Sequence, residues 1–279
     1  NENYVNGNST LATGYLDIKI TDWLSYRFQA GANIFSTINN NFSPSFDSGP
    51  NGYASRSFAN ISETRATGIS PILTNQLTAI KSFGNHNFNL VLVGEKQSDN
   101  FSFITATGTN SVTDQINVPR GVEAPQNNAE TQESVIISFV GRLNYDYKGK
   151  YLLGASFRRD GSSRFAPGNK WGNFPSVSAG WRISEESFMQ NISAISDLKI
   201  RGSYGLVGNN NIGNYAYQAT LSNNNYYEFN LGSGTQTQGY TINTMANQSL
   251  QWETVKMLNI GLDAGLLNNK VNFSIEYFN

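Results

Sequence analysis

The chain has 279 residues with 19 Lys and Arg, 20 Asp and Glu, one His and no Cys. A net charge of −1 excludes a strongly basic nucleic-acid binder, which needs clustered Lys and Arg to contact phosphates. The absence of Cys excludes a disulfide framework, thiolate zinc sites and Cys nucleophiles, and a single His excludes a multi-His metal site.

No run of apolar residues approaches the length of about 18 that a transmembrane helix needs. The first ten residues are polar and lack the apolar segment of a signal peptide. These two features alone would suggest a cytosolic or already processed chain. The mean hydropathy of −0.40 argues against a membrane protein only if the membrane alternative is helical. A transmembrane β-barrel also carries a polar lumen and polar loops.

Alternation of apolar and polar residues with period two predicts ten strands. In a clear case, Leu24, Tyr26 and Phe28 alternate with Ser25 and Arg27. Successive side chains of a strand point to opposite faces, so each predicted strand has one apolar and one polar face. In chain order the predicted strands are 10–20, 23–36, 72–83, 87–104, 133–147, 150–160, 173–184, 197–208, 251–265 and 270–279.

Short turns rich in Asn, Asp and Gly alternate with long polar connections along the chain. The short turns are Thr21-Asp22, Gly84–Asn87, Lys148–Lys150 and Leu267–Asn269, and the long connections are 37–71, 105–132, 161–172 and 209–250. The connection 185–196 is of medium length, and we expect a helical turn there. This alternation puts all short links at one rim, which is the plan of an up-and-down antiparallel barrel in an outer membrane.

Strand length and aromatic placement also favour a membrane barrel. Most predicted strands have about the 9–11 residues that a tilted strand needs to cross a bilayer. Aromatic residues near the predicted strand ends resemble an interfacial girdle: Trp23, Phe83, Tyr145, Tyr147, Tyr151, Trp252 and Tyr277. A soluble β-sandwich or a β-rich adhesin alternates too, but its strands are typically about 5–6 residues long and its surface is rich in Lys and Glu.

Five segments in the second half of the chain carry a more specific signature. They are 145–165 (YDYKGKYLLGASFRRDGSSRF), 171–184 (WGNFPSVSAGWRIS), 198–205 (LKIRGSYG) with Gly208-Asn209, 251–254 (QWET) and 259–263 (NIGLD). In this order and at this spacing they resemble the SusC/RagA-type TonB-dependent outer-membrane transporters. The resemblance is specific from about Ser134 onward and weaker in residues 1–133, where Phe83–His86 is the best match.

The resemblance implies an all-β, antiparallel transmembrane barrel of about 22 strands that encloses an N-terminal plug. We therefore expect residues 1–279 to be an internal part of one barrel domain, with the plug and the other strands outside this chain, and we expect the chain alone not to transport. The implied function is import of glycan or peptide fragments across the Gram-negative outer membrane. The implied partners are a SusD-like surface lipoprotein that acts as a lid, the TonB complex acting through the plug, outer-membrane lipid, and an oligosaccharide or peptide substrate. Nucleic acid and cofactors are not expected.

Charged residues at the long-connection end of the strand 150–160 are candidates for substrate binding. Arg158 and Asp160 are predicted on its polar, lumen-facing side, and Arg164 follows in the next connection. These three residues could contact a polar substrate or the plug. The alternative is a network of ion pairs within the barrel wall.

Aromatic and amide side chains near two long connections are also candidates. The connection 209–250 is rich in Asn, Gly and Tyr, including Tyr226 and Tyr227, and Trp171 ends the connection 161–172. Amides pair with sugar hydroxyls and aromatic rings stack on the apolar faces of sugars. The alternative is a flexible loop composed of turn-forming residues.

No segment suggests an enzyme. A catalytic triad would require His86, which lies in a predicted tight turn, and the pair Glu185-Glu186 is better explained as a solvated turn than as glycosidase carboxylates. Two other functions stay open: a passive porin-type barrel, and a soluble secreted β-sheet binding protein.

Overall fold

The computed structural model describes residues 2–49, 55–111, 113–115, 118–119, 126–189, 191–192, 194–228 and 236–279. Within these ranges the chain consists of strands joined by turns and irregular segments. The strands are β1 (Glu2–Lys19), β2 (Leu24–Ser43), β3 (Asn60–Phe83), β4 (His86–Gly108), β5 (Gln126–Tyr147), β6 (Tyr151–Ser162), β7 (Trp171–Arg182), β8 (Ile195–Asn209), β9 (Thr220–Glu228), β10 (Gln236–Thr244), β11 (Glu253–Leu266) and β12 (Val271–Phe278).

Ten of these strands form one sheet. Strands β1 to β8 follow each other in chain order, and β11 and β12 complete the sheet after β8. The pairs from β5 to β8 and from β8 through β11 to β12 are antiparallel. Within the described part of the chain, the remaining two strands, β9 and β10, pair with each other and form a hairpin between β8 and β11. The prediction of an all-β fold with ten antiparallel strands is confirmed, and the extra hairpin was not predicted.

The short turns lie where the sequence places them, and backbone conformation explains their composition. Lys148 and Gly149 have φ of 57° and 68°, and three consecutive residues, Leu267–Asn269, have φ between 52° and 59°. This left-handed region is open to Gly and tolerated by Asn, which accounts for the Asn- and Gly-rich links. The expected helical turn between β7 and β8 is present as two short 3-10 turns, Ile183–Glu185 and Ser187–Met189.

Strands β2 to β5 are much longer than predicted, at 20, 24, 23 and 22 residues. All four extend at the end of the long connections, so the predicted loops 37–71 and 105–132 are partly strand. The alternation of apolar and polar residues stops where neither face of a strand is apolar. Backbone hydrogen bonding between strands does not depend on side chains and continues beyond that point.

The two faces of the sheet differ in the way a membrane barrel requires. On one face of β5 to β8, large apolar side chains are exposed, including Phe139 (54%), Leu153 (53%) and Val177 (58%). The opposite face carries paired charges such as Arg158 with Asp160. A soluble protein would bury the apolar face, whereas lipid covers it in an outer-membrane barrel. The part of the chain that the structure describes contains no helix long and apolar enough to cross a membrane.

The chain divides into two compact units. One comprises Asn1–Tyr15, Gln29–Leu73 and Gln97–Ser134, and the other Leu16–Phe28, Thr74–Lys96 and Val135–Asn279. The first unit has a small buried core of Phe42, Ala59 and Ile61. The second unit contains the signature segments and all the candidate binding residues.

Candidate functional site

Arg158 and Asp160 form an ion pair on the polar face of β6. Arg158 Nε lies 2.7 Å from Asp160 Oδ2, and Arg158 Nη2 donates to Ser138 Oγ at 3.0 Å. The register explains the contact, because Ser138 of β5 lies directly opposite Asp160. Two residues apart on one strand, Arg158 and Asp160 share a face, as the sequence predicts.

The two partners of this pair are buried to very different extents. The Asp160 side chain is 9% exposed and that of Arg158 is 47% exposed. Asp160 Oδ1 has no hydrogen-bond partner among the described residues. The buried carboxylate of Asp160 therefore fixes the position of the Arg158 guanidinium. The exposed part of Arg158 can bind a polar or anionic group on the polar side of the sheet. These contacts are the ion pairs and hydrogen bonds expected for a network within the barrel wall. Contact of Arg158 or Asp160 with substrate stays a prediction.

Arg164 fastens two connections together. Its Nε donates to Asn214 Oδ1 at 3.0 Å and its Nη1 to the carbonyl oxygen of Asn210 at 3.4 Å. Asn210 in turn donates from Nδ2 to Ser162 Oγ at 3.2 Å. These contacts tie the start of the connection after β6 to the connection after β8. Arg164 thus lies near the end of β6 as predicted, and its Nε and one Nη1 donor are already used by the protein.

An aromatic cluster that was not predicted from the sequence lies at the start of β7, next to the end of β6. Trp252 lies 5.4 Å from both Phe165 and Phe174 between ring centroids, and its Nε1 donates to the carbonyl oxygen of Lys170 at 2.8 Å. Phe165 is fully buried and Phe174 is 6% exposed. Trp252, predicted as a girdle residue, therefore belongs to a small core, because its indole N–H has an internal acceptor. The available sequence signal for this core was Phe165, the last residue of the segment 145–165.

Trp171 lies on the opposite face of the sheet from Arg158 and Asp160. Its ring stacks on Phe139 with centroids 6.3 Å apart, and the guanidinium carbon of Arg159 lies 5.0 Å from its centroid. Arg159 and Arg158 are consecutive in β6 and so point to opposite faces. Trp171 is 43% exposed among apolar neighbours, which is the environment of an interfacial aromatic residue. The structure does not bring it together with the other candidates.

Tyr226 and Tyr227 lie on opposite faces of the β9–β10 hairpin. Tyr226 pairs with Gln238 and Tyr227 with Thr237. The ring of Tyr227 covers Gly239, where an added Cβ would come within 2.2 Å of it. Tyr226 belongs to an exposed apolar face, here named the hairpin face, whose members are Leu221 (64%), Tyr226 (60%), Tyr240 (69%) and Ile242 (66%). Register shifts between β9 and β10 place these four on the same side.

A second charged group, missed by the sequence analysis, lies on the polar face of β8, β11 and β12. Arg201 Nε lies 3.0 Å from Asp263 Oδ2, and Arg201 also pairs with Glu276. Ser274 donates to Asp263 Oδ1 at 2.6 Å. Arg201 also lines a cavity of about 460 Å³, together with amides that include Asn144 and Asn259. Arg201 meets carboxylates that lie more than 60 residues further along the chain, so the sequence offers no local signal for the group.

Glu186 lies in the connection between β7 and β8 at the rim of short turns, where it bridges the start of β6 and the end of β7. It accepts hydrogen bonds from the Tyr151 hydroxyl at 2.7 Å, from Trp181 Nε1 at 3.1 Å and from Lys150 Nζ at 3.3 Å. These donors, Tyr151 first, lower the pKa of Glu186 below its ordinary value. Glu185 instead pairs with Arg182 at 3.2 Å. The two carboxylates are engaged separately, which agrees with a turn rather than a catalytic pair.

Comparison with known proteins supports a shared architecture. The family profile described as "TonB dependent receptor-like, beta-barrel" matches residues 1–279. The TonB-dependent receptor SusC of Bacteroides thetaiotaomicron is 36% identical over 204 residues, which cover 71% of this chain and 20% of that protein. The TonB-dependent receptor P3 of Formosa agariphila is 30% identical over 273 residues, which cover 96% of this chain and 26% of that protein.

A solved structure of the RagAB peptide transporter superimposes with a TM-score of 0.85 at 26% identity, covering 98% of this chain and 30% of that chain. The chain thus spans 20 to 30% of the length of these relatives.

Proposed function

Because the chain belongs to the TonB-dependent receptor-like β-barrel family, with relatives of the SusC/RagA type, we propose that the complete protein imports glycan or peptide fragments across the outer membrane. The observation that carries this proposal is the two-faced sheet. Its exposed apolar face suits lipid, and its opposite face offers charges and amides to a polar solute. The family is one of receptors and transporters rather than enzymes.

In this proposal the whole chain forms part of one barrel wall. The Arg158–Asp160 pair and the Arg201 group line the path of the solute, and Arg164 holds the connections around that path. Tyr226 presents its aromatic ring on the hairpin face, together with the amide of Gln238, whereas the ring of Tyr227 covers Gly239 on the opposite face. Trp171 would serve at the lipid boundary, and contact of its ring with substrate stays a prediction.

The proposed partners follow from the family rather than from contacts of this chain. We propose that a plug and further strands complete the protein, that the TonB complex acts on the plug from the periplasm, and that a SusD-like lipoprotein covers the extracellular end. The RagAB relative is described as a peptide transporter. Peptide and glycan fragments both remain candidates, because amides and tyrosines bind either.

The test is uptake of labelled oligosaccharide and peptide pools by cells that express the full-length protein. We expect uptake of one pool, loss of that uptake when the gene is deleted, and equal loss when TonB is deleted. Co-purification of a surface lipoprotein with the tagged full-length protein supports the lid. No difference in uptake between gene-deleted and wild-type cells would contradict the proposal.

The passive porin-type barrel predicts a different outcome. Uptake that depends on the gene and persists without TonB would favour a porin over an energised importer. Recovery of the full-length protein from the aqueous phase without detergent would favour a soluble β-sheet binding protein.

A further inference from the structure

The exposed apolar face of the sheet contains a hollow next to the rim of short turns. The hollow has a volume of about 840 Å³ and an almost entirely apolar lining across β4, β5, β6, β7, β8 and β11. Its floor is made of small residues: Ala179 and Gly202 are register partners, and Ala155 lies on the next strand. Bulkier residues surround it: Phe88, Leu143, Tyr145, Leu153, Val177, Tyr204 and Leu258. A flexible hydrocarbon chain fits such a furrow better than a rigid surface does, because it can follow the floor.

A band of aromatic rings adjoins the hollow at the rim. The contacts run from Phe83 to Phe88 (6.2 Å), from Phe88 to Tyr145 (5.0 Å), from His86 to Tyr147 (4.7 Å) and from Tyr147 to Tyr151 (6.2 Å). Tyr145 lies in both the band and the hollow. Aromatic rings with a polar edge prefer the headgroup layer of a membrane. The hollow therefore lies on the hydrocarbon side of this layer.

Two lysines that lie against aromatic rings at this rim, Lys148 and Lys81, have no carboxylate partner among the described residues. Lys148 Nζ lies 5.3 Å from the Tyr147 centroid, and Lys81 Nζ lies 5.0 Å from the Trp23 centroid and 5.3 Å from that of Phe83. Neither lysine forms an ion pair within the described residues. A ring lowers the energy of an ammonium group by a modest amount and leaves its positive charge available to an anion.

The carboxylates at this rim are already engaged. Glu186 pairs with Lys150, and Asp22 pairs with Lys19 at 2.9 Å. Asp146 accepts from Asn87 Nδ2 at 2.8 Å and from the N–H of Gly149 at 3.1 Å. Neither Lys148 nor Lys81 is held by a carboxylate in an ion pair within the described residues, so both ammonium groups can contact an anionic group on this face.

The position of Lys148 suits a headgroup whose chain lies in the hollow. Lys148 follows Tyr147, which pairs with Tyr151 one strand away, and Tyr145 pairs with Leu153 at the edge of the hollow. Two residues separate these rows, about 7 Å along a strand. A backbone hydrogen bond of 2.9 Å from Lys148 N to the carbonyl oxygen of Asn85 fixes the turn against the β3–β4 link.

We propose that this face binds one anionic glycerophospholipid of the inner leaflet, with its phosphate at Lys148 and an acyl chain in the hollow over Ala179 and Gly202. Lys81 provides a second contact for the headgroup from β3. The proposal rests on the proposed outer-membrane location. It concerns the lipid-facing surface and not the transport path.

The test is native mass spectrometry of the full-length protein in detergent, titrated with phosphatidylglycerol or phosphatidylcholine that carry the same oleoyl chains. A lysine near a membrane surface favours an anionic lipid by about fivefold. Wild type is expected to retain phosphatidylglycerol at least about fivefold better than phosphatidylcholine. Lys148→Gln should abolish most of this preference, Lys148→Arg should keep it, and Ala179→Leu should weaken binding of both lipids by filling the hollow.

The matched control is Lys256→Gln, since Lys256 is an exposed lysine of the same face that lies two residues from Leu258, on the side of the hollow away from the aromatic band. It should bind both lipids like wild type. Equal retention of the two lipids by wild type, or an unchanged preference in Lys148→Gln, would overturn the lipid site. Uptake measured in parallel separates the two proposals, because Lys148→Gln should transport normally even if the lipid site is lost.

Discussion

The ring of Phe174 lies so close to Gly208 that a β-carbon at position 208 would come within 2.1 Å of Phe174 Cζ. A β-carbon added at Gly172 would come within 2.4 Å of the same Phe174 atom. The aromatic core at the end of β7 therefore exists only because two neighbouring positions carry no side chain.

Gly208→Ala is expected to destabilise the full-length protein by about 1–3 kcal/mol, because overpacking forces a ring or the backbone to shift. Denaturant unfolding in detergent measures the change. Gly202→Ala in the same strand is the control, since a β-carbon there meets only the carbonyl oxygen of Asn259 at 3.8 Å. Equal stability of the two variants would show that Phe174 can move without cost.

Arg158→Ala is expected to cost more stability than Asp160→Ala. The first change leaves a buried carboxylate with neither oxygen paired, whereas the second leaves a half-exposed guanidinium that water can solvate. We expect about 2–3 kcal/mol for Arg158→Ala and about 1 kcal/mol for Asp160→Ala. Denaturant unfolding of the full-length variants checks the order.

The double variant Arg158→Ala with Asp160→Ala should recover part of the loss, because no unpaired charge remains. Arg159→Ala is the control, since Arg159 lies on the opposite face over Trp171 and a cation–π contact contributes only about 0.5–1 kcal/mol when exposed. The opposite order of the two single variants would contradict the burial argument.

Tyr226→Ala and Tyr240→Ala are expected to weaken capture of the transported solute, because each removes an exposed ring from the hairpin face. Truncation of a tyrosine that carries binding energy costs more than about 1 kcal/mol, or about fivefold in affinity. The concentration dependence of uptake measures the change. Tyr227→Ala is the comparison, since its ring covers Gly239 on the opposite face. An equal effect of all three variants would indicate loss of the hairpin rather than of one face.

Glu186→Gln is expected to lower the melting temperature by a few degrees at pH 7, and this difference should shrink as the pH falls below the ordinary glutamate pKa. Because hydrogen bonds lower the pKa of Glu186 in the folded protein, its contribution is present above the ordinary glutamate pKa of about 4.5. That contribution is lost as the pH falls through the lower folded pKa. Thermal unfolding of the full-length protein across this range measures it.

Glu185→Gln is the control, because Glu185 is the neighbouring carboxylate. Its partner among the described residues is Arg182, with which it forms a salt bridge. It should shift the melting temperature less at pH 7. A difference between wild type and Glu186→Gln that stays constant down to pH 3 would contradict the role of ionisation.

The sequence was most informative where one physical constraint acts on consecutive residues. Alternation within 150–160 predicted the faces of Arg158 and Asp160, and turn composition predicted the link at Lys148, because both depend on local backbone geometry. The β9–β10 hairpin was not predicted, since its register shifts interrupt the alternation.

Contacts between distant segments were also out of reach. Trp252 stands near a strand end, as girdle residues do, yet Phe165 and Phe174 enclose it from other parts of the chain. Arg201 and Glu276 meet only because β8, β11 and β12 are neighbours in the sheet. Such pairs depend on strand order, which the alternation of single strands does not specify.

The length of β2 to β5 has a thermodynamic consequence for recognition. A strand of 24 residues such as β3 exceeds by more than twofold the length of about 9–11 residues that crosses a bilayer, and the excess lies at the end of the long connections. Fixing a backbone residue costs about 1–2 kcal/mol of conformational freedom, and these residues have lost it on folding. A molecule that binds there meets an already ordered wall and does not have to immobilise a loop, so shape and hydrogen-bond complementarity decide which molecules are retained.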